Sequence, residues 1–187
     1  MRIVAGRYRS RVLKSPGKLR LRPTSDRLRE TLFNILGRTV EDSFFVDVYA
    51  GTGAVGIEAL SRGARKVIFI EQHSAAVALI RKNLEQLAVT VGAEILAMDA
   101  LRGLAVLTSR RLLADFIFLD PPYKDVGEYE RALDFLDSTH LLAPAGLVIV
   151  EHDQRRELPE WLTRLERSRV VEQGDASLSF YRLAMAA

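Results

Sequence analysis

Short apolar runs alternate along the chain with longer segments of helical periodicity, and this alternation predicts an α/β protein. Most of the runs have the length and the β-branched content of buried parallel strands. They lie at Phe44–Val48, Lys66–Ile70, Ala93–Ala97, Asp115–Leu119 and Leu147–Glu151. Two further runs, Arg169–Glu172 and Ser177–Leu183, flank the turn residues 174–175 and predict a closing hairpin. We therefore expect a seven-stranded, mostly parallel sheet with helices on both faces.

The segments between the strands carry apolar residues three and four positions apart, as amphipathic helices do. The first helix is expected to begin at Thr24 or Ser25, as its N-cap, and to end at Gly37. Its apolar stripe excludes Arg27 and Arg29, which we expect to face solvent or a ligand. Further helices are expected at Val55–Arg62, from Ser74 onward, at Leu101–Leu107, at Glu128–Ser138 and around Pro159–Leu165.

The first 22 residues are a basic arm, with eight Lys or Arg and no acid in a chain whose net charge is only +3. Two β-prone runs, at residues 3–4 and 11–13, flank a polar turn and predict a small hairpin. Clustered positive charge favours a polyanion such as nucleic acid. Since the sheet needs none of the arm, we expect a chain that begins near Pro23 to fold alone. The candidate RNA-binding residues are Arg2, Arg7, Arg9, Arg11, Lys14, Arg20, Arg22 and Arg27.

The first strand contains an acid, Asp47, and runs into a glycine turn at residues 50–53. Glycines let a backbone approach a ligand closely, and the N-terminus of the next helix favours a negatively charged or carboxylate-bearing group. With Gly56 the turn matches the G-x-G-x-x-G pattern of dinucleotide binders, and Glu71 stands where that pattern places its acid. Asp47 instead favours a cationic ligand. At this point the residues are therefore compatible with either a dinucleotide or a positively charged cofactor.

The fourth strand ends in the tetrad Asp120-Pro121-Pro122-Tyr123. These residue types suit a reaction at an exocyclic amine of a nucleic-acid base. Such an amine is a poor nucleophile, because its lone pair is conjugated into the ring. A carboxylate and a backbone carbonyl can each accept one N–H, which turns the lone pair toward a methyl donor and stabilises the developing charge. The prolines stiffen the turn, and Tyr123 offers a face on which a flipped-out base can stack. We expect these four residues to carry catalysis.

The acid, the A-G-T-G turn and the D-P-P-Y tetrad together resemble the S-adenosylmethionine-dependent methyltransferases. The tetrad is similar to that of amino-methyltransferases acting on adenine N6, guanine N2 and glutamine amides. The segment RPTSDRLRETLFNIL resembles the N-terminal helix of the bacterial 16S ribosomal RNA guanine-N2 methyltransferases of the small subunit, the family acting on guanine 966. The resemblance implies a Rossmann-like class I methyltransferase domain over residues 23–187, with an antiparallel last strand. It also implies methyl transfer from S-adenosylmethionine to the N2 of a guanine.

The resemblance also assigns roles to individual residues at the strand ends. Glu71 is expected to accept both ribose hydroxyls of the cofactor. Asp99 accepts from the adenine amino group, and Ala100 offers its backbone N–H. Gln173 stands where the family usually has a tyrosine, so the chain departs from the family pattern at this position. The expected cofactor-binding residues are Asp47, Ala50, Gly51, Thr52, Gly53, Glu71, Gln72, Asp99 and Ala100.

Composition narrows the class of protein further. The chain has no cysteine, so disulfides and thiolate metal sites are excluded. It has neither an apolar stretch of membrane-spanning length nor a signal core, and we expect a cytoplasmic, monomeric, metal-independent enzyme. Its expected partner is 16S ribosomal RNA, either alone or in an assembling or mature small subunit. The alternatives are adenine-N6 DNA or protein-glutamine methylation, an NAD-dependent oxidoreductase and a noncatalytic RNA-binding module.

Overall fold

The computed structural model describes residues 1–15, 24–122 and 126–184. The chain divides into two units, Met1–Asp99 and Ala100–Ala187. No helix within the described ranges is long and apolar enough to cross a membrane. The expected site residues that lie outside these ranges are Arg20, Arg22 and Tyr123.

The first unit holds parallel strands β1 at Phe44–Val48, β2 at Lys66–Ile70 and β3 at Ala93–Leu96. Their order is β3-β2-β1. β1 is buried along its whole length and β2 at all but its first residue, as the continuous apolar runs predicted. In the register Val48 lies beside Ile70 and Ile70 beside Leu96, so the three strands end at one edge. The segments that follow β1 and β2 therefore meet at that edge.

The described helices of the first unit are α1 at Asp26–Leu36, α2 at Ala54–Ser61 and α3 at Ser74–Gln86. The Ser25 hydroxyl caps α1 by accepting a hydrogen bond from the Leu28 amide at 3.1 Å. Gly37 follows the helix with a φ of +56°, where a side chain would be strained, and a short 3₁₀ turn over residues 37–40 comes next. The predicted start and end of the first helix are thus confirmed.

The second unit holds strands β4 at Ala114–Leu119, β5 at Leu142–Asp153, β6 at Leu165–Gln173 and β7 at Ala176–Leu183. Its described helices are α4 at Ala100–Ser109 and α5 at Val126–Ser138. β4 and β5 are parallel, whereas β7 is antiparallel to both β5 and β6. The strand order of the sheet is β3-β2-β1-β4-β5-β7-β6. The predicted seven-stranded, mostly parallel sheet with an antiparallel last strand is confirmed.

β5 begins at Leu142, earlier than the predicted Leu147, and it includes Pro144. Its pairing with β4 is irregular, because the register shifts between Ala114 and Phe116. Proline is tolerated in a strand at such an irregularity, since no ladder hydrogen bond is required of it there.

The helix predicted around Pro159–Leu165 is wrong, because this stretch is irregular up to the start of β6. The buried carboxylate of Asp137 accepts hydrogen bonds from the consecutive amides of Thr163, Arg164 and Leu165, at 2.6–3.0 Å. A side chain on α5 therefore satisfies donors that a helix would have paired with its own carbonyls.

Candidate active site

The glycine turn after β1 brings the backbone into the left-handed region several times within a few residues. Tyr49 has a φ of +62°, and Gly53, the N-cap of α2, has a φ of +75°. A Cβ added to Gly56 would lie 2.3 Å from the ring of Phe69, so only glycine lets α2 pack this closely on β2. The G-x-G-x-x-G spacing thus reflects close helix–strand packing, which does not depend on the kind of cofactor.

Asp47 lies inside β1 and is 2% exposed. Its Oδ2 accepts a hydrogen bond from the Gly56 amide at 2.8 Å. The carboxylate therefore holds the first turn of α2, where backbone N–H groups lack helical partners. A buried acidic side chain thus stands directly before the glycine turn, at the position that the sequence singled out.

Glu71 joins the end of β2 to the glycine turn. It is 6% exposed, and its two oxygens accept hydrogen bonds from the Gly51 amide at 2.8 Å and from the His73 amide at 2.7 Å. Glu71 and Gly51, two of the expected cofactor residues, are thus in direct contact. Glu71 also fixes the shape of the turn, a structural role that the sequence did not reveal.

The remaining expected cofactor residues differ in burial. Ala50 and Thr52 are buried, and the Ala50 carbonyl accepts from the Gly53 amide at 2.7 Å to close the turn. Gln72 is exposed, beyond the end of β2. Asp99 is half-buried at the end of the first unit, while Ala100 is buried and begins α4 in the second.

The D-P-P sequence follows β4 directly, in the second unit. Asp120 is half-buried, Pro121 is buried and Pro122 is exposed. The carbonyl of Pro121 accepts a hydrogen bond from the hydroxyl of Tyr129, on α5, at 3.3 Å. A contact of this kind was not predicted from the sequence.

The predicted N-terminal hairpin consists of two antiparallel segments with one bridge, between Arg2 and Val12, and lacks regular strands. The Ile3 amide donates to the Arg11 carbonyl at 3.0 Å, and the Ser10 amide to the Ile3 carbonyl at 2.9 Å. The candidate RNA-binding side chains in the described ranges are all exposed. They are Arg2, Arg7, Arg9, Arg11, Lys14 and Arg27.

A buried acid on α2 attaches the arm to the first unit. The two carboxylate oxygens of Glu58 accept hydrogen bonds from the amides of Val4, at 2.8 Å, and Ala5, at 3.0 Å. The same carboxylate pairs with Arg62 at 2.9 Å and with Arg29 at 3.6 Å, and its side chain is 1% exposed. A lone acid inside an otherwise apolar eight-residue helix was the signal in the sequence.

Further contacts hold the rest of the arm. The Tyr8 amide donates to the Ser61 hydroxyl at 2.9 Å, and a Cβ on Gly6 would lie 1.9 Å from the Ser61 carbonyl. Asn83, fully buried on α3, accepts from the Lys14 amide at 2.8 Å and donates to the carbonyl of Thr52 in the glycine turn at 3.3 Å. The arm is therefore packed on the helices that frame the turn. The expectation that a chain beginning near Pro23 folds alone stays a prediction, and such a chain would lack all of these contacts.

The sequence suggested that Arg29 faces solvent or a ligand. This prediction is wrong, because Arg29 is 0% exposed. Its guanidinium donates to the carbonyl of Arg2 and to Asp26, and it forms the ion pair with Glu58. Burial is tolerated because charged and carbonyl oxygens surround it. Arg29 therefore joins α1 to the arm, whereas Arg27 is exposed as predicted.

The sheet topology, the glycine turn and the D-P-P sequence define a Rossmann-like class I methyltransferase fold. The chain belongs to the family described as Conserved hypothetical protein 95, which matches residues 1–182. Within the described residues, no cluster of His, Asp and Glu side chains could hold a metal ion.

Two relatives cover most of the chain. YlbH from Bacillus subtilis (strain 168), provisionally named an rRNA methyltransferase, is 34% identical over 182 residues, covering 97% of this chain and 98% of its own length. Ribosomal RNA small subunit methyltransferase D from Escherichia coli (strain K12) is 36% identical over 159 residues, covering 85% of this chain and 78% of its own. These similarities confirm the resemblance that the N-terminal helix suggested.

Solved structures agree with the fold. The structure of yhhF from Escherichia coli, provisionally named a methyltransferase, has a TM-score of 0.85 at 32% identity and covers 99% of both chains. SMU.776, solved as a complex with SAH, shares the fold with a TM-score of 0.70 at 14% identity, over 86% of this chain and 50% of its own.

Proposed function

We propose that this protein transfers a methyl group from S-adenosylmethionine to the exocyclic N2 of a guanine in 16S ribosomal RNA. The observation that carries the proposal is the similarity to Ribosomal RNA small subunit methyltransferase D, 36% identical over 159 residues. The D-P-P sequence after β4 supports an amine as the acceptor, and the exposed arginines of the arm support an RNA. The reaction takes place where ribosomal RNA is, in the cytoplasm.

The carboxylates and the backbone around the glycine turn fit S-adenosylmethionine. Asp47 and Glu71 are buried carboxylates at the ends of neighbouring strands, and they suit a ligand that carries an ammonium, a sulfonium and ribose hydroxyls. Glu71 would hold the ribose, and residues 50–53 would approach the amino-acid end of the cofactor through their backbone. When bound, the cofactor supplies a methyl group made electrophilic by a positively charged sulfur.

Asp120 and the carbonyl of Pro121 would each accept one N–H of the guanine amine. These contacts would direct the nitrogen lone pair and stabilise the positive charge that develops on the amine, and the Asp120 carboxylate would take up the proton that the methylated amine releases. Tyr123, for which the proposal is stacking on the flipped base, lies outside the described residues.

The test is a methylation assay with 16S RNA transcribed in vitro and with small subunits from a strain that lacks the activity. We expect one methyl group on a guanine N2, and comparison of the two substrates shows whether naked RNA suffices. Asp120→Ala should lower kcat about 100- to 1,000-fold while leaving cofactor affinity nearly unchanged, as for the loss of one preorganised polar contact. Near wild-type turnover by this variant would contradict the assignment of Asp120 as an acceptor for the guanine amine.

Experiments with the same purified protein distinguish the proposed function from the alternative cofactor and the alternative substrates. Calorimetry with S-adenosylmethionine and with NAD distinguishes a methyltransferase from the oxidoreductase that the G-x-G-x-x-G spacing also fits. Methyl transfer to adenine in DNA, or to a protein glutamine, in the absence of transfer to 16S RNA would replace the proposed substrate and keep the chemistry.

A further inference from the structure

A buried tyrosine contacts the D-P-P sequence from outside it. Tyr129 lies on α5 and is 1% exposed, and its hydroxyl donates to the carbonyl of Pro121 at 3.3 Å. Pro121 and Pro122 have no backbone N–H, so this part of the turn cannot fix itself with its own amides. The donor that holds the carbonyl comes from a side chain.

A cation lies against the same tyrosine. The guanidinium of Arg156 stands over the ring of Tyr129, 4.5 Å from its centroid. A cation above a phenol ring is attracted to its π-electrons and withdraws charge from the hydroxyl, which makes that hydroxyl a better hydrogen-bond donor. The contact also limits the rotation of the ring. Arg156 therefore supports the orientation and the strength of the bond to Pro121.

We propose that Tyr129 is a positioning residue for methyl transfer, one whose hydroxyl fixes the direction of the Pro121 carbonyl toward the guanine amine. The inference rests on the proposed function, which makes that carbonyl an acceptor for the amine. A carbonyl oxygen has two lone pairs, so it can accept from Tyr129 and from the substrate together. Misplacement of a reacting group by about 1 Å can cost 100-fold in rate, so a single fixed carbonyl matters.

The chain contains a matched control. The hydroxyl of Tyr181, on β7, also donates to a proline carbonyl, that of Pro159, at 2.8 Å, and Tyr181 is 0% exposed. Tyr181→Phe therefore removes a hydrogen bond from a buried tyrosine to a proline carbonyl, at a proline that lies outside the D-P-P sequence. A merely structural effect should be similar in the two variants.

The experiment compares Tyr129→Phe, Tyr181→Phe and the wild type in methyl transfer to 16S RNA, with kcat and both KM values measured separately. We expect Tyr129→Phe to lower kcat about tenfold, equivalent to about 1.4 kcal/mol, with both KM values unchanged. Tyr181→Phe should leave kcat unchanged. Arg156→Met, which keeps the packing over the ring and removes the charge, should lower kcat in the same direction by a smaller factor.

Melting temperature and calorimetric cofactor affinity, measured on each variant, complete the test. Equal kcat values for the two Tyr→Phe variants, with an active wild type, would overturn the role of Tyr129 and leave the proposed function intact. A Tyr129→Phe variant that unfolds while Tyr181→Phe stays folded would also overturn it, since the residue would then serve the core. A wild type inactive on 16S RNA would instead refute the proposed function, and this inference with it.

Discussion

Replacing Glu58 with glutamine tests how firmly the arm is built into the first unit. The change keeps the shape of the side chain and removes its charge. Arg29, which is 0% exposed, then loses the ion pair at 3.6 Å and keeps, among the described residues, the half-exposed Asp26 as its one charged partner. Its buried Nε and Nη1 make no hydrogen bond to any described residue, so the field of Glu58 is their main compensation. The amides of Val4 and Ala5 donate to two different oxygens of Glu58, and one of these oxygens would be replaced by an NH₂ group that cannot accept.

The expected magnitude follows from the burial of both partners. Removing one member of a buried ion pair costs about 3–5 kcal/mol, and the remaining contact with Asp26 argues for the lower end. In a domain of this size each kcal/mol lowers the melting temperature by about 2–4 °C, so we expect a fall of roughly 6–12 °C. Calorimetry or thermal unfolding followed by circular dichroism measures it. Cleavage by trypsin after the arm arginines should rise in parallel.

Glu41→Gln is the matched control for this experiment. Glu41 pairs with Arg38 at 3.7 Å, but their side chains are 59% and 91% exposed. Surface pairs contribute at most about 1 kcal/mol, so the control should melt within a few degrees of the wild type. If Glu58→Gln behaves like this control, the buried cluster contributes little and the arm is not held as argued.

Further substitutions test three other parts of the molecule. Glu71→Gln should weaken S-adenosylmethionine binding in calorimetry and leave RNA affinity nearly unchanged, because its carboxylate contacts the amides of Gly51 and His73 and no described residue of the basic arm. Arg7→Ala and Arg9→Ala should each lower RNA affinity and flatten the slope of log affinity against log salt by about 0.7–0.9, as expected for one lost phosphate contact. Burial lowers the pKa of His152 below 6.5, so below that pH the unfolded chain binds a proton that the folded chain does not, and stability falls as the pH falls. Between about pH 7.5 and 5.5, His152→Gln should therefore lose less stability than the wild type.

Each of these expectations has a result that contradicts it. An unchanged cofactor affinity in a folded Glu71→Gln variant would leave Glu71 with its structural role alone. Equal salt slopes for the arginine variants and the wild type would move the RNA contact elsewhere on the surface. A His152→Gln variant with the same pH dependence as the wild type would show that other groups determine the loss of stability in acid.

The strands were predictable because burial on both faces leaves a continuous apolar run, which few other structures require. β2 has the predicted bounds, Lys66–Ile70, and β1 the predicted Phe44–Val48. The glycine turn and the D-P-P sequence were also predictable, because their backbone conformations restrict the residue types. Glycine is favoured where φ is positive, and a proline restricts the conformation of the residue before it.

Side-chain partners distant in the sequence were not predictable. Arg29 reads as a surface residue on an amphipathic helix, and its burial depends on Glu58, almost thirty positions away in another helix. The spacing of apolar residues in the loop before β6 favours a helix. The backbone amides of this loop instead donate hydrogen bonds to the carboxylate of Asp137. The contact of Tyr129 with Pro121 was missed because a tyrosine on an apolar helix face normally indicates only core packing.

The attachment of the arm has a consequence for the order in which the chain folds. The arm is synthesised before the helices that hold it, because the partners of its amides at Val4, Ala5 and Lys14 lie 54, 53 and 69 positions further on. Contacts so distant in sequence carry a loop-closure cost and form late, after local helices. The positively charged surface therefore takes its final shape only once α2 and α3 exist. A newly made chain cannot present its arginines in that arrangement before the helices around the glycine turn have folded.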